Sequence, residues 1–558
     1  SIVDGLTFKT LFGADMYNIF AQSVNNTYAV YDPTWETVGG VEQVTALTKI
    51  GLDRSPGVQN VSNPYFYRQI TAQAIMDYKR TFQEEHSLNI TALGYYTKLR
   101  RDFFTIDDKA THLGLRVAYD FNKKLFADFS SAYVHSIRLK KGNRDAFSPT
   151  IGLGWVLSDE DFLAEAGAID YLKLKFSAGI LNTDYTEDTY SRFTGMLTDG
   201  YDMMYKRYQS NILGSTYFNW ADGLHNNNSR LISGVDNPDL TFEKVKNINL
   251  GIEGYFFNKS LAIDANAFYI KNSGIIVQMT DTYSSLLSSY IPYKNYEANS
   301  HTGAEVGINW METMGDFSFN IGGNLIYRTS NADKRDEIYP NDFQYRAGHP
   351  VTSIFGLESD GFFDDENEIA ASPVQTAFGV VVPGDIKYKD QDNDEYITEN
   401  DVVYLGNSLA PLAYGLNLTL KYKNFSLYTL CDGQNGGKSM TTSSYYWVDG
   451  NDKYSENVLN RWTESTKTTA TFPRLTAKSN NNNFRISDFW LYETNYFRIN
   501  RVQLTYEFPR SAFGLKGFSL YLRGSNLLWV GKEVDKMQLR TGGQPSYRQY
   551  AAGLRISF

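Results

Sequence analysis

Short runs that alternate between apolar and polar residues recur along this chain, and they constrain its fold more than any other feature. The last nine residues, YAAGLRISF, place Tyr550, Leu554 and Phe558 on one face and Arg555 on the other. Successive side chains of a β-strand point to opposite faces, so a period of two predicts a strand with one apolar side. The C-terminal residues are therefore predicted to be held in a sheet.

Pairs of such runs, joined by a few residues, predict hairpins. NINLGIEGYFFNKSLAIDANAFYI (247–270) and YGLNLTLKYKNFSLYTL (414–430) each alternate on both sides of a short turn. In YLKLKFSAG (171–179), Lys173 and Lys175 point to the same face of the strand. Two neighbouring lysines are tolerated only on a face that is in contact with water. We therefore predict that these lysines face an aqueous lumen and that Leu172, Leu174 and Phe176 face lipid.

Long polar connections separate the hairpins, at approximately 16–68, 180–245, 272–302, 328–412 and 431–494. Short turns thus alternate with long loops. Compact soluble domains rarely contain such loops, whereas outer-membrane barrels have short periplasmic turns and long extracellular loops. The pattern predicts an all-β chain, a transmembrane antiparallel β-barrel of the cell outer membrane, with about sixteen strands that cross the lipid repeatedly. A buried C-terminal strand in a soluble sheet is the alternative for the last segment taken alone.

The composition excludes several other classes of protein. The chain has 558 residues, of which 15% are aromatic, and a formal net charge of −10 with scattered Lys and Arg, so nucleic acid is not expected as a partner. It contains no apolar run of about eighteen residues, the length of a membrane-spanning helix. The single Cys431 supplies neither a disulfide nor a zinc site. No charged-then-apolar leader is present at Ser1, so we expect any export signal to lie outside this sequence.

Five segments, in order, resemble the SusC/RagA family of TonB-dependent outer-membrane transporters. NPDLTFE (237–243) is similar to the family's Asn-Pro-x-Leu-x-x-Glu motif and precedes a matching strand. Three loop motifs follow in the family's order: GHPVTSIFGLESDGFFDDENEI, PGDIKYKDQDNDEYITENDVVYLGN and NVLNRWTESTKTTATFPRL. NYFRINRVQLTYEFPRSAF with KGFSLYLRGSNLLWV is similar to the penultimate hairpin. The resemblance covers most of 170–558 and is looser before residue 170.

This resemblance implies a barrel of about twenty-two strands around a plugged lumen. It implies an N-terminal plug domain that contacts TonB and a SusD-like surface lipoprotein that acts as a lid over oligosaccharide or peptide substrates. Because about six strands and the plug are not found in the sequence, residues 1–558 are expected to be the C-terminal part of the barrel. The N-terminal plug and first strands, TonB through that plug, the lipoprotein and outer-membrane lipid are then the expected partners.

The segment DQDNDEYITEND (390–401) has the spacing of a calcium-binding loop. Asp390, Asp392 and Asp394 stand at positions 1, 3 and 5, Tyr396 offers its carbonyl at 7, and Asp401 stands at 12. Position 6 is a glutamate where such loops have Gly, and Asp401 is shorter than the usual Glu. The sequence predicts calcium, or a similar hard cation, at these residues; a solvated acidic turn is the alternative.

Aromatic residues have two interpretations. Strand-end tyrosines are predicted to form the girdle at the membrane interface; these are Tyr133, Tyr269, Tyr327, Tyr422, Tyr506 and Tyr550. Loop aromatics with Asn and Asp neighbours are typical of surfaces that stack on sugars or bind peptides. Tyr217, Trp220, Tyr445, Tyr446 and Trp447 are therefore the candidate substrate-binding residues. Packing of these rings within the loops is the alternative.

No arrangement of residues points to an enzyme. The six His and one Cys are scattered, and no nucleophile, base and phosphate-loop pattern is present. Two functions remain. In the first, the chain is the barrel portion of an active importer of the SusC type; in the second, it is a passive, porin-like channel of about sixteen strands. Pairing between the first and the last strand would favour the porin.

Overall fold

A computed structural model describes residues 4–39, 41–101, 107–163, 165–184, 209–219, 226–233, 237–448, 450, 455–477, 480–509, 517–538 and 546–557. The fold is nearly all-β, as predicted. Its strands, in chain order, are β1 (Leu6–Thr27), β2 (Val30–Val38), β3 (Val41–Ile50), β4 (Arg54–Phe82), β5 (His86–Arg101), β6 (Asp108–Phe121), β7 (Leu125–Ser136), β8 (Asp145–Val156), β9 (Ile169–Thr183), β10 (Gln209–Asn219), β11 (Asn226–Ser233), β12 (Glu243–Phe256), β13 (Leu261–Gln278), β14 (Tyr293–Met314), β15 (Phe317–Lys334), β16 (Ser353–Gly356), β17 (Ser359–Phe362), β18 (Ile386–Tyr388), β19 (Val403–Asn407), β20 (Leu412–Tyr422), β21 (Phe425–Asn435), β22 (Lys438–Met440), β23 (Leu491–Glu493), β24 (Tyr496–Glu507), β25 (Gly517–Val530) and β26 (Gln549–Ser557).

The helices of the described residues are short. Two are α-helices, Glu366–Ala371 and Val534–Gln538. The others are short 3₁₀ helices: Leu157–Asp159, Ser285–Tyr290, Asp342–Gln344, Glu399–Asp401, Glu456–Asn460 and Asp488–Trp490. None of these helices has the length and apolar character needed to cross a membrane.

One antiparallel sheet of sixteen strands dominates the molecule, in agreement with the predicted strand number. Its spatial order is β1-β4-β5-β6-β7-β8-β9-β12-β13-β14-β15-β20-β21-β24-β25-β26. Neighbours in this order are also consecutive along the chain once the small ribbons are set aside, so the sheet is a meander of hairpins. The remaining strands form two-stranded ribbons in the connections.

The register assigns each residue of the sheet to one of two faces. Lys175 lies opposite Gly251, and its Nζ is 2.6 Å from Asp264 Oδ2 on the same face. Leu174 lies opposite Ile252 on the other face. Charged pairs thus share one face and apolar side chains the other, which agrees with the predicted lumen and lipid sides. Of the predicted girdle tyrosines, those exposed by more than a third are Tyr133, Tyr269, Tyr327, Tyr422 and Tyr550.

The longest connections all lie at one end of the sheet, although 157–168 at the other end is longer than 102–107 and 137–144. Two predicted loops have the wrong bounds. The connection predicted at 16–68 spans 28–53, because β1 continues to Thr27 and β4 begins at Arg54. The connection predicted at 272–302 spans only 279–292. The bounds were wrong because polar residues mark only where a strand leaves the hydrocarbon layer. The backbone hydrogen bonds to the neighbouring strand continue beyond that point into water. The other long connections span 184–242, 335–411 and 436–495.

The two ends of the sheet are β1 and β26. β1 pairs with β4, so that Leu6 lies opposite Tyr78 and Phe8 opposite Met76. β26 pairs with β25, where Leu554 lies opposite Leu520. Within the described residues no ladder joins β1 to β26. The sheet is therefore not closed into a sixteen-stranded ring by its own terminal strands, as the importer interpretation expected.

Candidate functional site

The connections 335–411 and 436–495 pack together at the long-loop end of the sheet, and we call their described residues the loop unit. Their shared apolar core is almost inaccessible to solvent. The first connection contributes Leu357, Phe378, Ile386, Tyr388 and Ile397, and the second contributes Val448, Val458, Phe472 and Trp490. The chain's largest described hydrophobic cluster thus lies outside the main sheet. It fixes two long loops relative to each other at the mouth of the predicted lumen.

A buried carboxylate joins the two connections beneath this core. Asp385 is fully buried and accepts hydrogen bonds from Asn480 Nδ2 at 3.0 Å and Asn483 Nδ2 at 2.8 Å. Arg474 Nη2 donates to its second oxygen at 3.1 Å. The preceding Gly384 has φ +88°, and a Cβ there would lie 2.4 Å from the Trp462 ring. Buried polar groups are nearly always hydrogen-bonded, so this network specifies how the loops meet.

The structure places the predicted aromatic residues in different surroundings. Tyr446 and Trp447 are half-buried and pack against the core of the loop unit, with the Trp447 ring 6.1 Å from that of Trp490. Tyr445 forms an edge contact with Tyr446. Burial raises the pKa of Tyr446. For Tyr446 and Trp447 the packing alternative accounts for the contacts.

The two remaining aromatic candidates belong to the connection 184–242. Tyr217 lies in β10, in register with Asn228 of β11. Trp220 lies outside the described residues. The proposal that these residues touch substrate stays a prediction.

Three of the predicted calcium ligands converge. Carboxylate oxygens of Asp390, Asp392 and Asp394 all lie within 4.8 Å of one another, which is the separation of two oxygens on opposite sides of an ion at about 2.4 Å. Glu395, at the position that such loops give to Gly, has φ +70°. The backbone thus makes the turn of a calcium loop despite the missing glycine. Among the described residues this is the one group of acidic, His or Cys side chains close enough to share an ion.

Asp401, the predicted twelfth ligand, is engaged with the backbone. It is fully buried, and its oxygens accept hydrogen bonds from the N–H groups of Gln391 and Thr398, each at 2.7 Å. Burial raises the pKa of the Asp401 carboxyl, and Asp392 and Asp390 add to that effect. It closes the loop by a capping box with Thr398. Tyr396 donates its N–H to Asp394 at 2.8 Å.

A cluster that the sequence analysis missed lies on the polar face, where β21, β24 and β25 reach the loop unit. Arg498 forms two hydrogen bonds with Asp432, at 3.0 and 2.8 Å. Its guanidinium lies 4.7 Å from the centre of the Trp529 ring, which stacks on Tyr496 at 5.1 Å. The alternation of Tyr496, Arg498 and Asn500 in NYFRIN places these side chains on one face and could have indicated the cluster. It offers rings, donors and acceptors to a solute in the lumen.

Comparison with known proteins finds relatives that are all named as TonB-dependent receptors. The chain is 22% identical over 607 residues to TonB-dependent receptor P3 of Formosa agariphila, an alignment that covers 100% of this chain and 57% of the relative. It is 19% identical over 418 residues to TonB-dependent receptor SusC of Bacteroides thetaiotaomicron, covering 70% of this chain and 37% of that protein. No family model matches the chain. The chain thus spans about half the length of the relatives it matches.

The fold has a close counterpart among solved structures. The RagAB peptide transporter superposes with a TM-score of 0.68 at 19% identity, over 100% of this chain and 60% of that one. The same transporter in an open-open state gives 0.69. These likenesses confirm the predicted fold, a transmembrane β-barrel. Together with the TonB-dependent relatives they agree with the predicted outer-membrane location.

Proposed function

Because the chain resembles the SusC/RagA-like TonB-dependent outer-membrane transporters in sequence and in fold, we propose that it forms the barrel portion of a nutrient importer of the SusC type. The importer takes up oligosaccharides or peptides. A SusD-like lipoprotein covers its extracellular mouth, and TonB opens a plug that belongs to the rest of the protein.

The open sheet is the observation that carries this proposal. Backbone N–H and C=O groups that stay unpaired in lipid cost several kcal/mol each, so β1 and β26 both require further strands. A sixteen-stranded porin would satisfy these edges by pairing the two strands with each other. The described residues do not do so, and the relatives are nearly twice as long. Additional strands of the same barrel account for both observations.

The loop unit and the lumen cluster supply two surfaces for a solute. The loop unit holds two long connections in fixed positions, so it presents a rigid rim for a lid. Below it, Trp529 and Tyr496 offer aromatic surface beside Asp432 and Arg498. This mixture of rings and hydrogen-bonding groups suits sugar rings and peptide backbones alike. The two substrate classes therefore stay open in this proposal.

Energy dependence of uptake tests the proposal against the porin. The intact protein is produced in its host with and without a functional TonB, and uptake of labelled oligosaccharides and peptides above porin size is measured. An importer loses uptake without TonB, whereas a passive channel keeps it. Uptake that is unchanged by TonB would contradict the proposal, and deletion of a co-produced lipoprotein lid gives the matched test of the partner.

We also propose that the Asp390–Asp394 loop holds calcium. Three carboxylates close to one point favour a hard divalent cation, because the ion offsets their mutual repulsion. With Asp401 already bonded to the backbone, the remaining ligands would come from backbone carbonyls and water. A bound ion would stiffen the outer part of the loop unit and so keep its rim in place.

A further inference from the structure

Four cations cluster where the long-loop ends of β5 and β6 lie beside the middle of β4. Arg68 of β4 lies directly opposite Arg100 of β5, and Lys98 of β5 lies directly opposite Lys109 of β6. Like charges placed directly opposite across an antiparallel pair destabilise it. Two such pairs in neighbouring rows form a basic patch in a chain whose net charge is −10. We name these four residues the basic patch.

One acidic group lies against the patch. Lys98 Nζ is 2.8 Å from Asp107 Oδ2. The hydrogen bond from Lys98, with added attraction from Arg100 and Lys109, lowers the pKa of the Asp107 carboxyl. Within the described part of the chain, Arg68, Arg100 and Lys109 form no ion pair. Among the described residues, Lys98 is thus the one cation of the patch that forms an ion pair.

The patch lies on the lipid-facing side of the sheet. Neighbours on the same face are Ile70, Tyr96 and Leu113, whose side chains are exposed by 45%, 38% and 54%. The opposite face carries Gln69 and Thr97, joined by a hydrogen bond of 3.2 Å. The exposed apolar side chains beside the patch mark the face that hydrocarbon covers. The hydrogen-bonded side chains of Gln69 and Thr97 mark the lumen face. The cations thus project outward, toward the membrane.

The height of the patch matches the outer interface of a bilayer. From Leu88 to Lys98 along β5 the strand rises about 33 Å, which at a tilt of roughly 40° gives an apolar band about 25 Å tall. Tyr96, one row below Lys98, lies where aromatic girdles form. The long connections mark this end of the sheet as extracellular. The cations therefore lie level with the head groups of the outer leaflet.

We propose that the basic patch binds the phosphate groups of an anionic lipid head group in the outer leaflet of the outer membrane. The guanidinium groups of Arg68 and Arg100 suit bidentate contacts with phosphate oxygens, and lysines add point charges. A phosphate would add negative charge beside the two like-charged pairs and so reduce their repulsion. The apolar surface below would pack against the acyl chains of the same lipid. This site is independent of substrate and of TonB.

The test measures binding of diphosphorylated lipid A to the intact protein in neutral detergent micelles. Arg100→Gln with Lys109→Gln removes two cations that form no ion pair with any described residue and leaves the Lys98–Asp107 pair in place. Each cation near a lipid phosphate contributes roughly fivefold in affinity, so we expect about 30-fold weaker binding by the double variant. Lys123→Gln with Lys259→Gln, in the short turns at the opposite end of the sheet, makes the same change in charge and should bind like the wild type.

Further measurements distinguish lipid phosphate from free phosphate and check that each variant folds. Arg100→Lys with Lys109→Arg keeps the charge and should retain most of the binding. Heat-modifiable migration on gels checks assembly of each variant, and Lys109→Gln alone should lose roughly fivefold. Equal binding by wild type and Arg100→Gln/Lys109→Gln would overturn the proposal. Displacement of lipid A by inorganic pyrophosphate at equal concentration would also overturn it, because the site would then select free phosphate.

Discussion

At the scale of single residues, the face of the sheet on which a charged side chain lies decides whether it destabilises the barrel. Ile151 of β8 is 45% exposed on the lipid face, directly opposite Phe129 and Ala178. A lysine there would lie within the apolar band, so Ile151→Lys should destabilise the barrel by about 2–4 kcal/mol. The loss can be measured by equilibrium unfolding in lipid vesicles or, in cells, by the amount of assembled protein.

The matched control is Ser177→Lys, which adds the same side chain on the lumen face. Ser177 lies opposite Gly152, which leaves room for a longer side chain, and Asp128 lies on that face in the next strand. This variant should assemble normally. Equal damage from the two substitutions would show that the assignment of lumen and lipid faces is wrong.

The acidic loop gives a second prediction at this scale. If calcium binds, added calcium should protect residues 390–401 from hydrogen exchange in the intact protein, by about 2.7 kcal/mol at a hundredfold excess over the dissociation constant. A chelator should remove that protection. Asp394→Asn should abolish the calcium effect, because Asp394 is exposed and contributes one of the three converging carboxylates.

Asp364→Asn is the control, since it removes an exposed carboxylate of the loop unit outside the cluster. It should respond to calcium like the wild type. Exchange that is indifferent to calcium in the wild type would identify the loop as a solvated acidic turn.

The buried carboxyl of Asp401 should make the stability of the loop unit depend on pH. Burial raises the pKa of its carboxyl in the folded state above the unfolded value. The folded state therefore binds the proton more tightly, and the free energy of unfolding of the loop unit should fall as pH rises between these two pKa values. Above the folded pKa it should level off. Hydrogen exchange of the loop unit, measured in the presence of a chelator from pH 4 to 7, checks the sign; a rise over this range would contradict it.

At the scale of elements, the loop unit depends on one buried carboxylate. Asp385→Ala would leave Arg474, Asn480 and Asn483 without their shared acceptor. Removing one partner of a buried ion pair costs about 3–5 kcal/mol, so the two connections should separate and become sensitive to protease. Limited proteolysis of the intact protein, followed by mass spectrometry, detects the cleavage.

Asp360→Ala provides the comparison, because the Asp360 side chain is exposed and pairs with Lys387 at 3.0 Å on the surface. Surface pairs contribute only about 0–1 kcal/mol. This variant should keep the protease resistance of the wild type. The buried network would not be what holds the unit together if Asp385→Ala resisted protease equally well.

At the scale of the whole molecule, the edges of the sheet decide between importer and porin. In a Cys431→Ala background of the intact protein, Phe8→Cys with Met76→Cys should cross-link, because these residues are direct partners across β1 and β4. Phe8→Cys with Leu554→Cys should not. Efficient cross-linking of the second pair would mean that β1 and β26 close a ring, and it would promote the porin.

The sequence by itself determined the sheet and its faces, because strand periodicity is local. Alternation in YLKLKFSAG separates Lys175 from Leu174 wherever the strand is placed, and short turns such as Lys423–Asn424 fix the hairpins. The spacing of Asp390, Asp392 and Asp394 likewise brought three carboxylates together without reference to the fold.

Only the tertiary structure decided how distant segments meet. It showed that strands continue past the polar boundary at 16–68, that Tyr446 and Trp447 pack inward, and that Asp401 bonds to the backbone. It also brought Arg68, Lys98, Arg100 and Lys109 together from three strands. Each of these depends on the exact register between strands, which alternation alone leaves open until the turn geometry is known, or on contacts between loops far apart in the chain.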